Sequence, residues 1–120
     1  MFINLSNHKS VTWSKEQKEA AEKWGEIIDY PFPNVLPDAD EKDIAAMGEK
    51  IVGELMEKDA KAVMCQGEFT LSYTIIRKLK EKGIPVFAAS SERVVEEQVL
   101  EDGTVEKISK FRFVRFREYI

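Results

Sequence analysis

Short apolar runs alternate along the chain with stretches in which apolar residues recur every three or four positions. The runs predict strands at Phe2–Ser6, Glu26–Tyr30, Ala62–Gln66 and Ile84–Ala89. The helical spacing between them predicts a helix after each of the first three strands. This alternation predicts parallel strands joined by right-handed crossovers, and therefore a three-layer Rossmann-like α/β domain. Strand orders 3-2-1-4 and 2-1-3-4 both satisfy the pattern.

Capping residues indicate where the predicted helices begin. Ser14 with Gln17, and Asp38 with Glu41, have the spacing of a capping box. The third helix is expected to start at Glu68 or Thr70 and to run to Lys82. Inward faces are predicted from the apolar positions, and both tryptophans are interpreted as core residues: Trp13 and Trp24.

The pattern after the fourth strand is different and predicts an appended antiparallel hairpin. Arg93–Leu100 and Val105–Arg117 are rich in β-forming residues, and an Asp-Gly pair within Glu101–Thr104 joins them. Aromatic residues and arginines are mixed in Phe111–Arg117, which indicates a bulge or an interface there. This last run is interpreted as a strand with a solvated arginine side, or else as a subunit contact or phosphate-facing edge.

Composition excludes several classes of protein. The 120 residues are 43% hydrophobic and predict one domain spanning residues 1–120. The only cysteine is Cys65 and the only histidine is His8, which excludes an internal disulfide and a Cys/His zinc site. No apolar run approaches the roughly 20 residues that span a bilayer, and the first residues do not form a signal peptide. The expected location is the cytoplasm, with no membrane partner.

The net charge of −4 argues against general binding of duplex nucleic acid. The charge is unevenly distributed, because Lys15–Asp59 has 6 basic and 13 acidic residues, whereas Ala60–Ile120 has 11 basic and 9 acidic residues. The second half of the chain can therefore supply a local positive site on an acidic protein.

Candidate binding residues follow from the expected position of a ligand in such a fold. Ligands of open parallel sheets bind outside the carboxyl ends of the strands. Three of the four predicted strand ends are rich in hydrogen-bonding side chains, and we expect these to meet on one rim: Ser6, Asn7, His8 and Ser10; Gln66, Gly67, Glu68 and Thr70; Ser90, Ser91 and Arg93.

Each of these features also has a purely structural interpretation. His8 either acts in catalysis or only orders its loop. Gln66–Glu68 either brings backbone and a helix N-terminus to an anion or is ordinary turn chemistry. Ser90–Arg93 is either a phosphate cradle or a surface turn. Tyr30–Pro33 is either a packed loop or a place for a base to stack.

Several known α/β chemistries are excluded by their missing motifs. The chain has no glycine-rich dinucleotide or phosphate-binding loop and no G-x-S-x-G elbow. A receiver domain would need an acidic residue where Cys65 and Gln66 stand, and a tyrosine phosphatase would need an arginine at Leu71. Any catalysis is therefore expected to need no metal or cofactor and to rest on His8, hydroxyl groups, Arg93 and backbone amides.

The order of these segments resembles the small single-domain CRISPR-associated proteins with a CARF-type Rossmann-like fold. The resemblance covers nearly the whole chain. It is carried by five segments: Ile3–His8 leading to Trp13–Gln17, Gly25–Pro33, Gln66–Thr70, Ala89–Arg93 and Phe111–Arg117. The chain departs from the family pattern at Lys9, where a proline is expected, and it has no fused effector domain.

The resemblance implies an antiviral protein that binds cyclic oligoadenylate, a second messenger, across the two-fold axis of a homodimer. Some small members are ring nucleases that open the ring without a metal, by attack of a ribose 2′-hydroxyl on its adjacent phosphate. Ser6, Asn7 and His8 would then contact phosphate and sugar, with His8 as acid or base. The alternative is a non-enzymatic α/β module that binds another nucleotide, a sugar phosphate or a protein partner.

Overall fold

The computed structural model describes residues 1–120 as one five-stranded sheet with three helices. The strands are β1 (Phe2–Ser6), β2 (Ile27–Pro31), β3 (Ala62–Cys65), β4 (Val86–Val99) and β5 (Val105–Glu118); the helices are α1 (Lys15–Glu22), α2 (Glu41–Glu57) and α3 (Phe69–Glu81). The sheet order is β2-β1-β3-β4-β5, and only the β4–β5 pair is antiparallel. The predicted fold class is confirmed, and the strand order is the second of the two alternatives.

Helices cover both faces of the sheet, which makes three layers. Helices α2 and α3 pack on one face over a large apolar cluster that includes Leu5, Val63 and Val86. Helix α1 packs on the other face, where Ala21 and Trp13 meet the inward residues of the strands. Side chains alternate along each strand, so adjacent residues of a strand belong to different clusters. None of the three helices is long and apolar enough to cross a membrane.

The capping residues of α2 differ from the prediction. Asp40, rather than Asp38, is the N-cap: its Oδ1 accepts the backbone N–H of Asp43 at 2.9 Å, and its own N–H donates to Asp43 Oδ2 at 3.0 Å. The prediction that paired Asp38 with Glu41 is wrong because residues 37–38 still form a turn. At the start of α1 the predicted cap is present, since Ser14 Oγ accepts the N–H of Gln17.

The two tryptophans occupy different environments. Trp13 is buried at 8% exposure, as predicted, and its ring packs against Phe2 and Phe116. Trp24 is 41% exposed, so its interpretation as a core residue is wrong. The reason is its position beyond the end of α1, where one side of the ring packs on Phe87 and the other lies in solvent.

Strand β4 is longer than predicted and passes straight through Ser90–Arg93. The turn predicted there is wrong, because pairing with β5 continues the strand and that pairing is invisible to local sequence. The hairpin itself is confirmed, and so is the bulge: Ser90 pairs with Arg115 and Ser91 with Phe113, which leaves Val114 as the extra residue. Residues 91–113, here called the arm, extend the molecule to 58 Å along its longest axis.

Candidate functional site

The carboxyl ends of β1 and β3 meet residues 89–91 of β4 at one edge of the sheet. The chain leaves β1 toward β2 on one side and reaches β3 on the other, so the topological switch point lies between β1 and β3. Ligands of open α/β sheets bind in the crevice at such a point. This is the edge at which the sequence placed the candidate residues.

A cavity of about 550 Å³ lies at this edge, on the face of the sheet covered by α1. We call it the His8 cavity. Its walls come from the loop after β1, the start of α1, the ends of β3 and β4, and the arm; they are formed by His8, Thr12, Trp13, Ser14, Gln17, Met64, Gln66, Ala89, Ser91, Phe111 and Phe113. Three aromatic rings and six hydrogen-bonding side chains therefore face one space, with no Asp, Glu, Lys or Arg among them.

A buried hydrogen-bond network holds the loop that carries His8. Asn4, 1% exposed in the middle of β1, donates through Nδ2 to the carbonyl of His8 at 2.8 Å and to Asp29 Oδ1 at 2.9 Å. Ser6 Oγ donates to Asn4 Oδ1 at 2.7 Å and accepts the N–H of His8 at 3.2 Å. The N–H of Ser10 donates to Asp29 Oδ1 at 3.1 Å. Ser6 is therefore occupied in positioning the loop, and His8 is left facing the cavity.

Asp29 is the charged end of this network. Partial burial on its own would raise the pKa of the Asp29 carboxyl, but hydrogen bonds from Asn4 and Ser10, together with the charge of Lys9, lower it. The carboxylate is therefore stabilised in its ionised form, and it ties the His8 loop to the neighbouring strand β2.

Two further predicted residues line the same cavity from the other strand ends. Gln66 Oε1 accepts the N–H of Ala89 at 2.6 Å, which ties the end of β3 to β4. Ser91 follows on the same side of β4, and Arg93 lies two residues further along that side. The Arg93 guanidinium donates to Ser109 Oγ at 2.9 Å and lies at the outer end of the cavity, opposite Phe111.

The turn at Gln66–Glu68 does not have the predicted anion-binding role. Glu68 caps α3: its carboxylate accepts the backbone N–H groups of Thr70 at 2.9 Å and Leu71 at 2.8 Å, and the hydroxyl of Thr70. These hydrogen bonds, led by the one from Leu71, lower the pKa of Glu68. An anionic ligand would compete with this carboxylate for the same donors, which favours the interpretation of Gln66–Glu68 as ordinary turn chemistry.

A glycine at position 67 leaves room for the Phe32 ring, and this packing explains the residue without a ligand. A Cβ at this position would lie 2.4 Å from ring atoms of Phe32. Phe32 is only 6% exposed, so Tyr30–Pro33 is a packed loop. The Tyr30 hydroxyl donates to Glu54, and burial, followed by this contact, raises the pKa of Tyr30 to about 12.

The remaining predicted residues lie elsewhere. Asn7 and Glu68 line a separate cavity of about 470 Å³ beside Phe32. Ser90 is on the α3 face of β4, where its Oγ accepts a hydrogen bond from Arg117 at 3.3 Å. The structure therefore brings His8, Gln66 and Ser91 into one cavity, with Arg93 at its outer end, and it does not place Asn7, Glu68 or Ser90 there.

Several lining residues were not predicted as site residues. Thr12, Ser14 and Gln17 begin α1, and their pattern signalled only a helix cap. Phe111 and Phe113 share one side of β5, so their alternation was the available signal for an aromatic wall. Asn4 was detectable as a lone polar residue inside an apolar strand. No three His, Cys, Asp or Glu side chains come together in a group able to hold a metal ion.

These features define a doubly wound α/β protein with one polar and aromatic cavity at its switch point. The chain belongs to the Uncharacterized protein MJ1673 family, which it matches over residues 1–117. It is 30% identical over 105 residues to "Uncharacterized protein MJ1673" of Methanocaldococcus jannaschii, which covers 85% of this chain and 72% of that protein. No solved structure matches the chain. Neither description names a ligand or a reaction.

Proposed function

We propose that this protein binds a nucleotide in the His8 cavity, and that the nucleotide belongs to cyclic oligoadenylate. The proposal of nucleotide binding rests on one observation: aromatic rings and uncharged hydrogen-bonding side chains face one cavity at the switch point of the sheet. Rings stack on bases, while amides, hydroxyls and an imidazole bind base edges, sugars and phosphates. The choice of cyclic oligoadenylate as the ligand rests on the resemblance of the sequence to CARF-type proteins.

In this proposal each part of the ligand has its own place in the cavity. Phe111, which is 78% exposed, is the wall on which an adenine stacks. The Nε2 of Gln66 is available to the ligand because its Oε1 is already occupied by Ala89. Phosphates lie toward Ser91 and Arg93, where a hydroxyl and a guanidinium provide donors. The cavity holds part of a ring rather than a whole ring, which agrees with a ring shared between two copies.

Ring opening, where it occurs, follows from His8 as the only imidazole. The 2′-oxygen of one ribose attacks the adjacent phosphorus and the bond from phosphorus to the 5′-oxygen breaks. The proton leaves the 2′-hydroxyl and a proton is delivered to the 5′-oxygen. The products are a 2′,3′-cyclic phosphate and a 5′-hydroxyl. Positioning the 2′-hydroxyl in line is the main contribution expected from the protein.

Binding without cleavage is the second candidate. The observation in its favour is that His8 is the only acid–base side chain that lines the cavity. A second group to protonate the leaving oxygen would have to come from the ligand, from water or from a second copy of the chain. The non-enzymatic interpretation also allows another nucleotide or a sugar phosphate as the ligand.

Binding is tested by titrating the protein with cyclic tri-, tetra- and hexa-adenylate in a calorimeter, with linear oligoadenylate for comparison. We expect micromolar or tighter binding of one ring size, with one ring per two chains if copies share it. Phe111→Ala should weaken binding about tenfold through lost stacking. Asn7→Ala is the matched control, because Asn7 faces another cavity. The ligand assignment fails if none of the rings binds at micromolar concentration.

Cleavage is tested separately with His8→Ala in the presence of a chelator. We expect this variant to bind the ring and to lose cleavage, whereas the wild type cleaves with or without chelator. A wild type that binds but never cleaves supports the second candidate. Mass spectrometry of denatured protein would identify a different co-purified ligand. Adjacent type III CRISPR genes and a cytoplasmic location are further expectations of this proposal.

A further inference from the structure

The outward side of α3 is apolar although no other part of the chain covers it. Leu71, Ile75 and Leu79 point into the core and are fully buried. Phe69 and Tyr73, one turn apart on the opposite side, are 90% and 68% exposed. Two neighbouring large aromatic side chains in solvent are unusual, and such patches mark interaction sites.

The connection from β4 to β5 explains why this side is open. A crossover helix in this position would lie beside α3 and cover β4 and β5. The chain instead turns back directly through residues 100–104, so the helix position is vacant. The vacancy is a groove of about 730 Å³ between α3 and the last residues, and its walls include Phe69, Tyr73, Ile76, Tyr119 and Ile120. We call it the α3 groove.

The charges on this face are divided between its two ends. Asp40 and Glu41 begin α2 beside the start of α3, so that end is acidic. Arg77, Lys78 and Lys80 lie at the other end, where the Lys80 ammonium donates to the carbonyl of Tyr119 at 2.9 Å. Glu81 lies at this end too, 3.7 Å from Arg77, and three cations against one carboxylate leave the end basic. A face of this kind is complementary to itself when a second copy is turned end over end.

We propose that the α3 groove is filled by α3 of a second copy of this chain, running antiparallel about a two-fold axis near Tyr73. In that arrangement Phe69 of each copy lies against Arg77 of the other, an aromatic–cation contact. The basic end of each copy also faces the acidic end of its partner. A parallel arrangement would place Arg77 against the same residue of the partner, which like-charge repulsion disfavours.

The size of the contact requires more than one helix. Helix α3 has 13 residues, about 20 Å of helix at 1.5 Å per residue. A stable interface buries roughly 1,200–2,000 Å² in total. The start of α2 and the last residues, Tyr119 and Ile120, must therefore take part. The α3 groove and the His8 cavity lie on opposite faces of the sheet, so this contact leaves the His8 cavity accessible. It does not bring two His8 cavities together, so a ring shared between copies requires a separate contact on the α1 face.

The test is sedimentation equilibrium of the ligand-free protein from about 1 to 100 µM, with Phe69→Arg and Arg77→Glu. We expect a dimeric wild type and at least about tenfold weaker association in Phe69→Arg, because its new cation meets Arg77 of the partner. The double variant Phe69→Arg/Arg77→Glu should associate again. Positions 69 and 77 are two turns apart in one helix, so rescue reports a contact between copies. Val95→Arg, on the exposed arm, is the matched control and should remain dimeric.

Cysteine cross-linking gives a second, independent readout of the geometry. Burial raises the pKa of the native Cys65 thiol to about 11, so Cys65 stays unreactive. Tyr73→Cys should form a disulfide-linked dimer under mild oxidation, and Phe69→Cys should not. A monomeric wild type, a dimer unaffected by Phe69→Arg, or cross-linking through Phe69→Cys would each overturn the inference. Because no ligand is used, these failures would not bear on the proposed function.

Discussion

The β4–β5 hairpin, with the last residues of the chain, borders an opening on each face of the sheet, and the two openings differ in chemistry. On the α1 face, strand-end loops and the polar start of a short helix surround the His8 cavity with donors and aromatic rings. On the opposite face, a longer helix borders the α3 groove with Phe69, Tyr73 and two cations. The hairpin in place of a crossover accounts for the α3 groove, whereas the His8 cavity lies beside the switch point of the sheet.

The difference shows that the elements beside an opening determine which kind of ligand or partner the opening can bind. Loops at carboxyl ends of strands bring side chains of varied direction, which can surround a small polar molecule. A helix beside a groove presents a regular stripe, which suits another helix. The His8 cavity should therefore depend on a buried polar network, and the α3 groove on apolar packing. Single substitutions can separate the contribution of the polar network from that of the apolar packing.

The largest effect is expected from Asn4→Leu, which removes the centre of the polar network. The change deletes three hydrogen bonds, so Ser6 keeps only the backbone of His8 and Asp29 keeps only the N–H of Ser10, at a cost of about 3 kcal/mol in the free energy of unfolding. Ligand binding should be lost while the folded protein still associates. Urea unfolding measures the stability, and calorimetry measures the ligand affinity. The control Asn7→Leu should stay within about 0.5 kcal/mol of wild type. Equal losses in the two variants would contradict the network.

The turn that joins the two openings is tested by Gly67→Ala. The new Cβ would lie 2.4 Å from the Phe32 ring, so we expect a loss of about 2 kcal/mol from overpacking. Gln66 lines the His8 cavity and Phe69 lines the α3 groove, so binding and association should both weaken. Gly53→Ala is the control: it meets no atom within 4 Å and should stabilise α2 by about 0.5 to 1 kcal/mol. A Gly67→Ala protein as stable as wild type would disprove the packing argument.

Tyr119→Phe tests the wall of the α3 groove. It removes the hydrogen bond from the Tyr119 hydroxyl to the carbonyl of Cys65 at 2.9 Å, at a cost of about 1 kcal/mol by chemical unfolding. Association should weaken, whereas the affinity for the nucleotide should not change. Tyr73→Phe removes a hydroxyl with no hydrogen bond within the chain and should be neutral. Weaker nucleotide binding in Tyr119→Phe would show that the two openings are coupled.

The smallest effect concerns pH and Asp29. Because the pKa of Asp29 is lowered in the folded state, its contribution is present above the unfolded value of 3.8 and is lost as the pH falls through the folded pKa. Asp29→Asn should lower Tm by about 2 °C at neutral pH, and the difference should shrink as the pH falls below 3.8. Calorimetric Tm values from pH 3 to 7 measure it, with exposed Glu26→Gln as control. A constant difference across this range would be the contrary result.

Much of the fold was predictable because local periodicity and capping signal it directly. Each of the four parallel strands was predicted to within two residues at its start, and the Asp-Gly turn identified the hairpin. The course of β4 beyond Ser90 was not predictable, since Ser-Ser-Glu-Arg is typical of a turn. It is extended only because Glu92 and Arg93 pair with β5, from residues about 20 positions away.

The sequence indicated where the candidate site lies better than it indicated which residues line it. His8, Gln66 and Ser91, which the predicted strand ends indicated, line one cavity. Asn7 precedes His8 by one residue and lines a different cavity, a distinction of side-chain direction that residue type does not encode. Glu68 shows a different difficulty, because residue type alone does not tell a helix-capping carboxylate from a ligand-binding one. Its hydrogen bonds to Thr70 and Leu71 show that it caps α3.

The bulge at Val114 has a consequence for solubility. Strand β5 is the last of the sheet, so its outer edge presents unpaired backbone groups that another strand could join. The extra residue at Val114 interrupts the regular spacing of these groups, with the exposed Arg112 and Arg115 on either side of it. A second strand that met this edge would not keep its register past Val114. The bulge therefore hinders growth of the open sheet by edge-to-edge pairing.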